Sequence, residues 1–199
     1  MTNEPVQATM LVVHALEELG VPYLIGGSLA SAVHGVMRAT MDTDIVADLQ
    51  IEQAESLARR LAVVFYADAE MMRDAIEHHG SFNVVHLETM FKVDVFIPKE
   101  RDFDRSQLSR RSAQTISVDP EETAYVASAE DTILAKLEWY RMGGELSDRQ
   151  WRDVLGILRV QTDRLDYDYM RIWAGKIKVK DLLEKALAEA GFDENSAHG

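Results

Sequence analysis

An apolar run, Val21 to Ile25, ends in Gly26-Gly27-Ser28, and after thirteen further residues comes Asp42-Thr43-Asp44 at the head of a second strand-like run. A strand that stops at two glycines must turn tightly. Ser28 then serves as the N-cap of a short helix, Leu29 to His34, closed by Gly35. Backbone N–H groups at such a turn attract phosphate, and glycine lets it approach closely. From Asp42 to Leu49 the residues alternate as in a strand. Asp42, Asp44 and Val46 share one face, and Ile45, Ala47 and Leu49 the other. The two carboxylates therefore point the same way, about 7 Å apart along the chain. Like charges so placed repel, and a divalent cation removes that cost. Taken singly, a Gly-Gly-Ser is an ordinary strand–helix turn and an Asp-x-Asp an ordinary solvated edge.

A third carboxylate, Asp94, stands within the run Met90 to Ile97, where Phe91, Val93, Val95 and Ile97 face one way and Lys92, Asp94 and Phe96 the other. A carboxylate inside a Val/Phe/Ile-rich strand is paired, metal-bound or on an exposed face, and Lys92 offers a simple surface pair. A hairpin laid beside Asp42-Thr43-Asp44 gathers three carboxylates, the set that two-metal phosphoryl or nucleotidyl transfer requires.

The remaining pattern is mixed. Helical spacing covers 6–19, 51–61 and 68–78, a strand fits Val63 to Tyr66, and Ser81–Leu87 with Met90–Ile97 reads as a hairpin turning at Glu88-Thr89. A short helix near 101–109 and strand pieces near 113–118 lead to Pro120. From residue 128 the chain is helical. Capping boxes at Ser128–Asp131 and Ser147–Gln150 flank Gly143-Gly144, weaker helices fill 166–174 and 179–190, and 192–199 is a polar, fraying end. The expected division is an α/β core over 1–127 and a helical extension packed on it over 128–199.

With no cysteine, disulfides, thiolate metal sites and thiol catalysis are excluded, so any metal is bound by carboxylate, imidazole or water. This composition fits a cytoplasmic protein. No apolar run approaches the about 18 residues of a membrane span, and Glu4 precedes the first apolar residues where a secretory leader would be basic. The net charge of −13 counts against a general binder of nucleic acid and favours a small-molecule or protein acceptor.

Gly26-Gly27-Ser28, the thirteen-residue interval, Asp42-Thr43-Asp44-Ile45 and the distal Asp94 together resemble the nucleotidyltransferase (polymerase β-like) superfamily. The run from Gly26 to Leu49 is similar to its minimal toxin-related branch, the AbiEii/AbiGii group. Motif coverage runs from about residue 21 to 98, and Lys136 with Arg149-Gln150-Trp151-Arg152-Asp153 resembles that branch's C-terminal helical motif. The resemblance implies an α/β (α+β) nucleotidyltransferase fold: a small mixed β-sheet flanked by helices, with a helical C-terminal part. It implies Mg²⁺ or Mn²⁺ on Asp42, Asp44 and Asp94, with Asp94 also the base for an acceptor hydroxyl. A nucleoside triphosphate donor would be gripped by Gly26, Gly27 and Ser28, with Lys136 near a phosphate and Asp153 orienting that lysine or the acceptor. A cognate antitoxin is the partner this branch suggests. Arg38 stands between the two motifs and is a phosphate-contact candidate. Two rival readings share the fold. One is antibiotic adenylylation of the aminoglycoside or lincosamide type, although the tryptophan that follows the glycine pair in lincosamide-type enzymes is absent here. The other is a non-catalytic nucleotide-binding module.

Several residues also have purely structural readings. Lys136 borders the Ile133/Leu137/Tyr140 stripe as a snorkelling lysine, and Arg149 with Asp153 has the spacing of a helix surface pair. His34 ends the short helix, and His78-His79 forms a solvated helix end. Met71-Met72, Trp139, Trp151 and Trp173 are packing residues.

Overall fold

The structure, a computed structural model, describes residues 4–36, 42–118 and 121–192. The chain divides into two compact units, Met1–Leu29 with Arg38–Ala127, and Ala30–Met37 with Ser128–Gly199. The segment Ala30–Met37, expected within the core, groups with the C-terminal helices.

The first unit is built on a mixed sheet. In chain order its strands are β1 (Tyr23–Ile25), β2 (Asp42–Ala47), β3 (Phe65–Tyr66), β4 (Ser81–His86), β5 (Lys92–Phe96), β6 (Ser112–Val118) and β7 (Glu121–Val126). Their order across the sheet is β3-β4-β5-β2-β1-β7-β6. The pairs β2/β5 and β1/β7 are parallel, and β1/β2, β3/β4, β4/β5 and β6/β7 are antiparallel. The parallel β2/β5 pair is the one that matters for the site, because it lays the Asp-Thr-Asp strand directly against the strand of Asp94.

Helix α1 (Glu4–Glu18) covers the inner face of the sheet with Val6, Met10, Val13 and Leu16, a helical stripe buried throughout. Thr43, Ile45, Val93 and Val95 project onto that same buried side. One polar contact crosses it: Thr9 Oγ1 lies 2.8 Å from the Pro5 carbonyl and 3.0 Å from Thr43 Oγ1. A carbonyl only accepts, so Thr9 donates to Pro5 and Thr43 donates to Thr9. The middle residue of Asp-Thr-Asp is thereby tied to the core while its neighbours face outward. The expected helix at 51–61 is a 3₁₀ turn, Ile51–Gln53, running into α3 (Ala54–Leu61), and α4 (Ala69–Glu77) is capped by Asp68, which accepts from Glu70 and Met71 N–H. Helix α5 (Asp102–Arg110) follows β5, its first turn held by the Arg101–Asp104 pair.

Three local expectations are corrected. Ser28 does not cap a helix starting at Leu29: α2 runs Gly27–Val33, so Ser28 lies inside its first turn. The β4/β5 connection is longer than Glu88-Thr89, because the Thr89 hydroxyl holds His86 Nδ1 at 2.9 Å and accepts from Phe91 N–H, organising the whole stretch between His86 and Lys92. Strand β7 was not expected from the acidic start Glu121-Glu122, yet Ala124 and Val126 are buried and Val126 pairs with Ile25.

The second unit contains α6 (Ala129–Met142), α7 (Asp148–Gln161), α8 (Tyr167–Lys176) and α9 (Lys180–Ala190). Ser128, Ser147 and Asp166 cap the first three. Ile133, Leu137, Ile157, Met170, Leu183 and Ala186 form its dry interior. The segment from Ala30 packs on α7: a Cβ on Gly35 would come within 2.5 Å of Val160, and one on Gly156 within 2.7 Å of Val36. The His34 carbonyl accepts from Gln161 Nε2 at 3.1 Å, so this residue ends α2 against α7, in line with its structural reading. Among the described residues, no helix is long and apolar enough to cross a membrane.

Candidate active site

The two motifs meet at Gly27. Gly26 N–H donates to the Asp44 carbonyl at 2.9 Å, which fastens the turn after β1 to the antiparallel strand β2. Gly27 has φ +55, and the place its Cβ would take is filled by the Asp44 side chain, with Oδ2 only 1.7 Å from that point. Only glycine satisfies both conditions. Gly26 is different, since a Cβ there would meet nothing nearer than the Asp44 carbonyl at 3.9 Å. Ser28 follows in the first turn of α2 and is buried.

The third carboxylate comes to the same place. In the parallel register Asp44 is directly opposite Asp94, and Asp42 directly opposite Lys92. Directly opposed residues of neighbouring strands point to one side, with strands about 4.8 Å apart. Asp42, Asp44 and Asp94 therefore share the half-buried outer face, while Thr43, Val93 and Val95 share the buried one. Asn83 of β4 stands opposite Asp94 on its other side. Its place on this face was readable from the alternation of Phe82, Asn83 and Val84, although nothing in the sequence singled it out.

Lys92 Nζ lies 2.7 Å from Asp94 Oδ2. Its ammonium is held above the ordinary lysine range, first by that hydrogen bond and then by the charges of Asp94, Asp42 and Asp44, against a lowering by burial. The field of all three aspartates thus converges on one point. Their hard oxygen donors are the type that Mg²⁺ or Mn²⁺ takes. In donor chemistry and in face they fit such an ion. Among the described residues, however, no three His, Asp or Glu side chains stand ready to hold one, and Asp94 is engaged by Lys92.

Arg38 and Lys136 are the remaining expected site residues. Arg38 falls outside the described residues. Lys136, in the second unit, donates to Asp153 Oδ2 at 2.8 Å and to Gln150 Oε1 at 3.2 Å. With 5% and 4% of their side chains exposed, Lys136 and Asp153 form a buried ion pair between α6 and α7. This replaces the snorkelling lysine and makes Lys136 the partner of Asp153, the carboxylate expected to orient it. Gln150, three residues before Asp153 on α7, was legible only as part of a capping box. His78 and His79 are an exposed helix end, paired with Asp74 and with the Pro98 carbonyl. A cavity of about 380 Å³ lies at the far end of β1, lined by Glu17, Tyr23, Arg111 and Tyr125 among others, and contains none of the candidate residues.

No family model and no curated protein matches the chain. Solved structures do. The antibiotic-resistance factor ANT(2'')-Ia, determined in solution, aligns over 95% of this chain and 96% of its own at 13% identity, with a TM-score of 0.57. This is the nucleotidyltransferase fold. The lincosamide antibiotic adenylyltransferase LnuA in its lincomycin-bound form covers 80% of this chain and 98% of its own at 15% identity and a TM-score of 0.49. An antigenic nucleotidyltransferase-like protein from Paracoccidioides brasiliensis covers 96% of each chain at 16% identity and 0.48. At such identities the likeness concerns the fold, and the chemistry rests on the residues themselves.

Proposed function

We propose that the chain is a Mg²⁺-dependent nucleotidyltransferase that moves a nucleoside monophosphate from a nucleoside triphosphate to an acceptor hydroxyl and releases pyrophosphate. The observation that carries this reading is the single-face assembly in which Gly27 seats Asp44 and the strand register sets Asp44 beside Asp94. Gly26, Gly27 and Ser28 bind the triphosphate through the turn. Asp42 and Asp44, with Asp94, hold the divalent ion, which neutralises charge on the phosphates when bound. Asp94 accepts the proton of the acceptor hydroxyl as the new phosphate ester forms.

The net charge of −13 supports a cationic or neutral acceptor over a long polyanion. Antibiotic adenylylation is this same reaction with an aminoglycoside or lincosamide hydroxyl as acceptor, and the acidic balance suits the cationic drug. The sequence likeness to the AbiEii/AbiGii group supports a cellular acceptor under control of a cognate antitoxin.

The test is incubation with each α-labelled NTP and Mg²⁺ in the presence of aminoglycosides, lincosamides, tRNA and cell extract, reading pyrophosphate and labelled acceptor. Wild type is expected to release pyrophosphate with at least one acceptor, and Asp42→Ala/Asp44→Ala to fall by roughly 10³-fold. Nucleotide binding without turnover across the panel would make the chain a binding module. Absence of nucleotide binding would remove the reading.

A further inference from the structure

The carboxylate face carries a cation of its own. Lys92 is opposite Asp42 in the register, two residues before Asp94 on the same face, and its Nζ is 2.7 Å from Asp94 Oδ2. Three carboxylates along one strip of β2 and β5 repel one another, and the Lys92 ammonium set among them offsets part of this. Lysine suits the task. It is a compact charge on a flexible stem that can swing aside, whereas an arginine fork would lock onto a carboxylate at two points. At 42% exposure the Lys92 side chain has open solvent to move into.

We propose that Lys92 is a positioning residue, the resident counter-cation that holds Asp94 in place on the ion-free face and yields it when a divalent cation enters. The inference rests on the metal–nucleotide reading above and deepens it. Lys92 and the ion compete for one carboxylate, so Lys92 weakens loading by the bare ion and keeps the face assembled until metal and triphosphate arrive together. The 2.7 Å contact places the exchange at Asp94.

Calorimetric titration of the full chain with Mn²⁺, without nucleotide, tests this on wild type, Lys92→Met, Lys92→Gln and the same three carrying Asp94→Asn. Lys92→Met keeps the apolar stem, and Lys92→Gln keeps a donor to Asp94 and serves if the methionine variant does not fold. Both neutral variants are expected to bind Mn²⁺ about tenfold more tightly than wild type and to melt at a lower temperature when ion-free. Asp94→Asn is expected to erase the difference between wild type and the neutral variants. Binding no tighter than wild type, or a gain that persists with Asp94→Asn, overturns the role of Lys92 and leaves the metal reading standing. Failure of every variant, wild type included, to bind Mn²⁺ overturns the metal reading and this inference with it.

Discussion

Gly26 and Gly27 are neighbours with different obligations. At Gly27 a methyl group would collide with the Asp44 carboxylate and sit at φ +55, so Gly27→Ala is expected to cost about 2–4 kcal/mol in urea unfolding. Gly26→Ala meets no such contact and is expected to change stability by less than about 1 kcal/mol. The sequence announced both glycines equally; only the fold says which one the packing needs, because the reason is a side chain seventeen residues away. Lys136 illustrates the opposite case. Its spacing fitted a lysine at the edge of an apolar stripe, and the partner that buries it lies on another helix. Lys136→Met alone removes the ammonium from beside the buried Asp153 charge, with an expected loss of about 3–5 kcal/mol. The double variant Lys136→Met/Asp153→Leu is expected to recover most of it, measured by the same unfolding curves.

At the scale of elements, strand β2 works because its two faces have separate anchors. Alternation in the sequence already put Asp42 and Asp44 on one side. What it left out was the hydroxyl pair Thr9–Thr43, which ties the strand to α1 from behind. Thr9→Val leaves the buried Thr43 hydroxyl without its acceptor, and a loss of about 1–2 kcal/mol is expected by thermal unfolding, with Lys92 and Asp94 untouched. The β4/β5 hairpin was legible from its alternating residues, and so was the outward direction of Asp94. Its register against β2 was not, since a parallel pairing between strands separated by two helices and two strands leaves no local mark. Strand β7 escaped for a related reason: two glutamates open it, and its pairing with β1 is more than a hundred residues distant in sequence.

At the scale of the whole molecule, the charge of −13 acts on every acidic face at once. Self-repulsion of this kind is screened by salt, so raising NaCl from 20 to 200 mM is expected to raise the melting temperature by about 2–4 °C. The central claim is narrower: the glycine turn, the Asp-Thr-Asp strand and the Asp94 strand form one donor site. Paramagnetic line broadening by Mn²⁺ in the presence of ATP, read residue by residue in amide spectra, reports this directly. Broadening centred together on Gly26–Ser28, Asp42–Asp44 and Asp94 is the predicted result. Broadening centred on other residues, or dependent on none of these three segments, would contradict it.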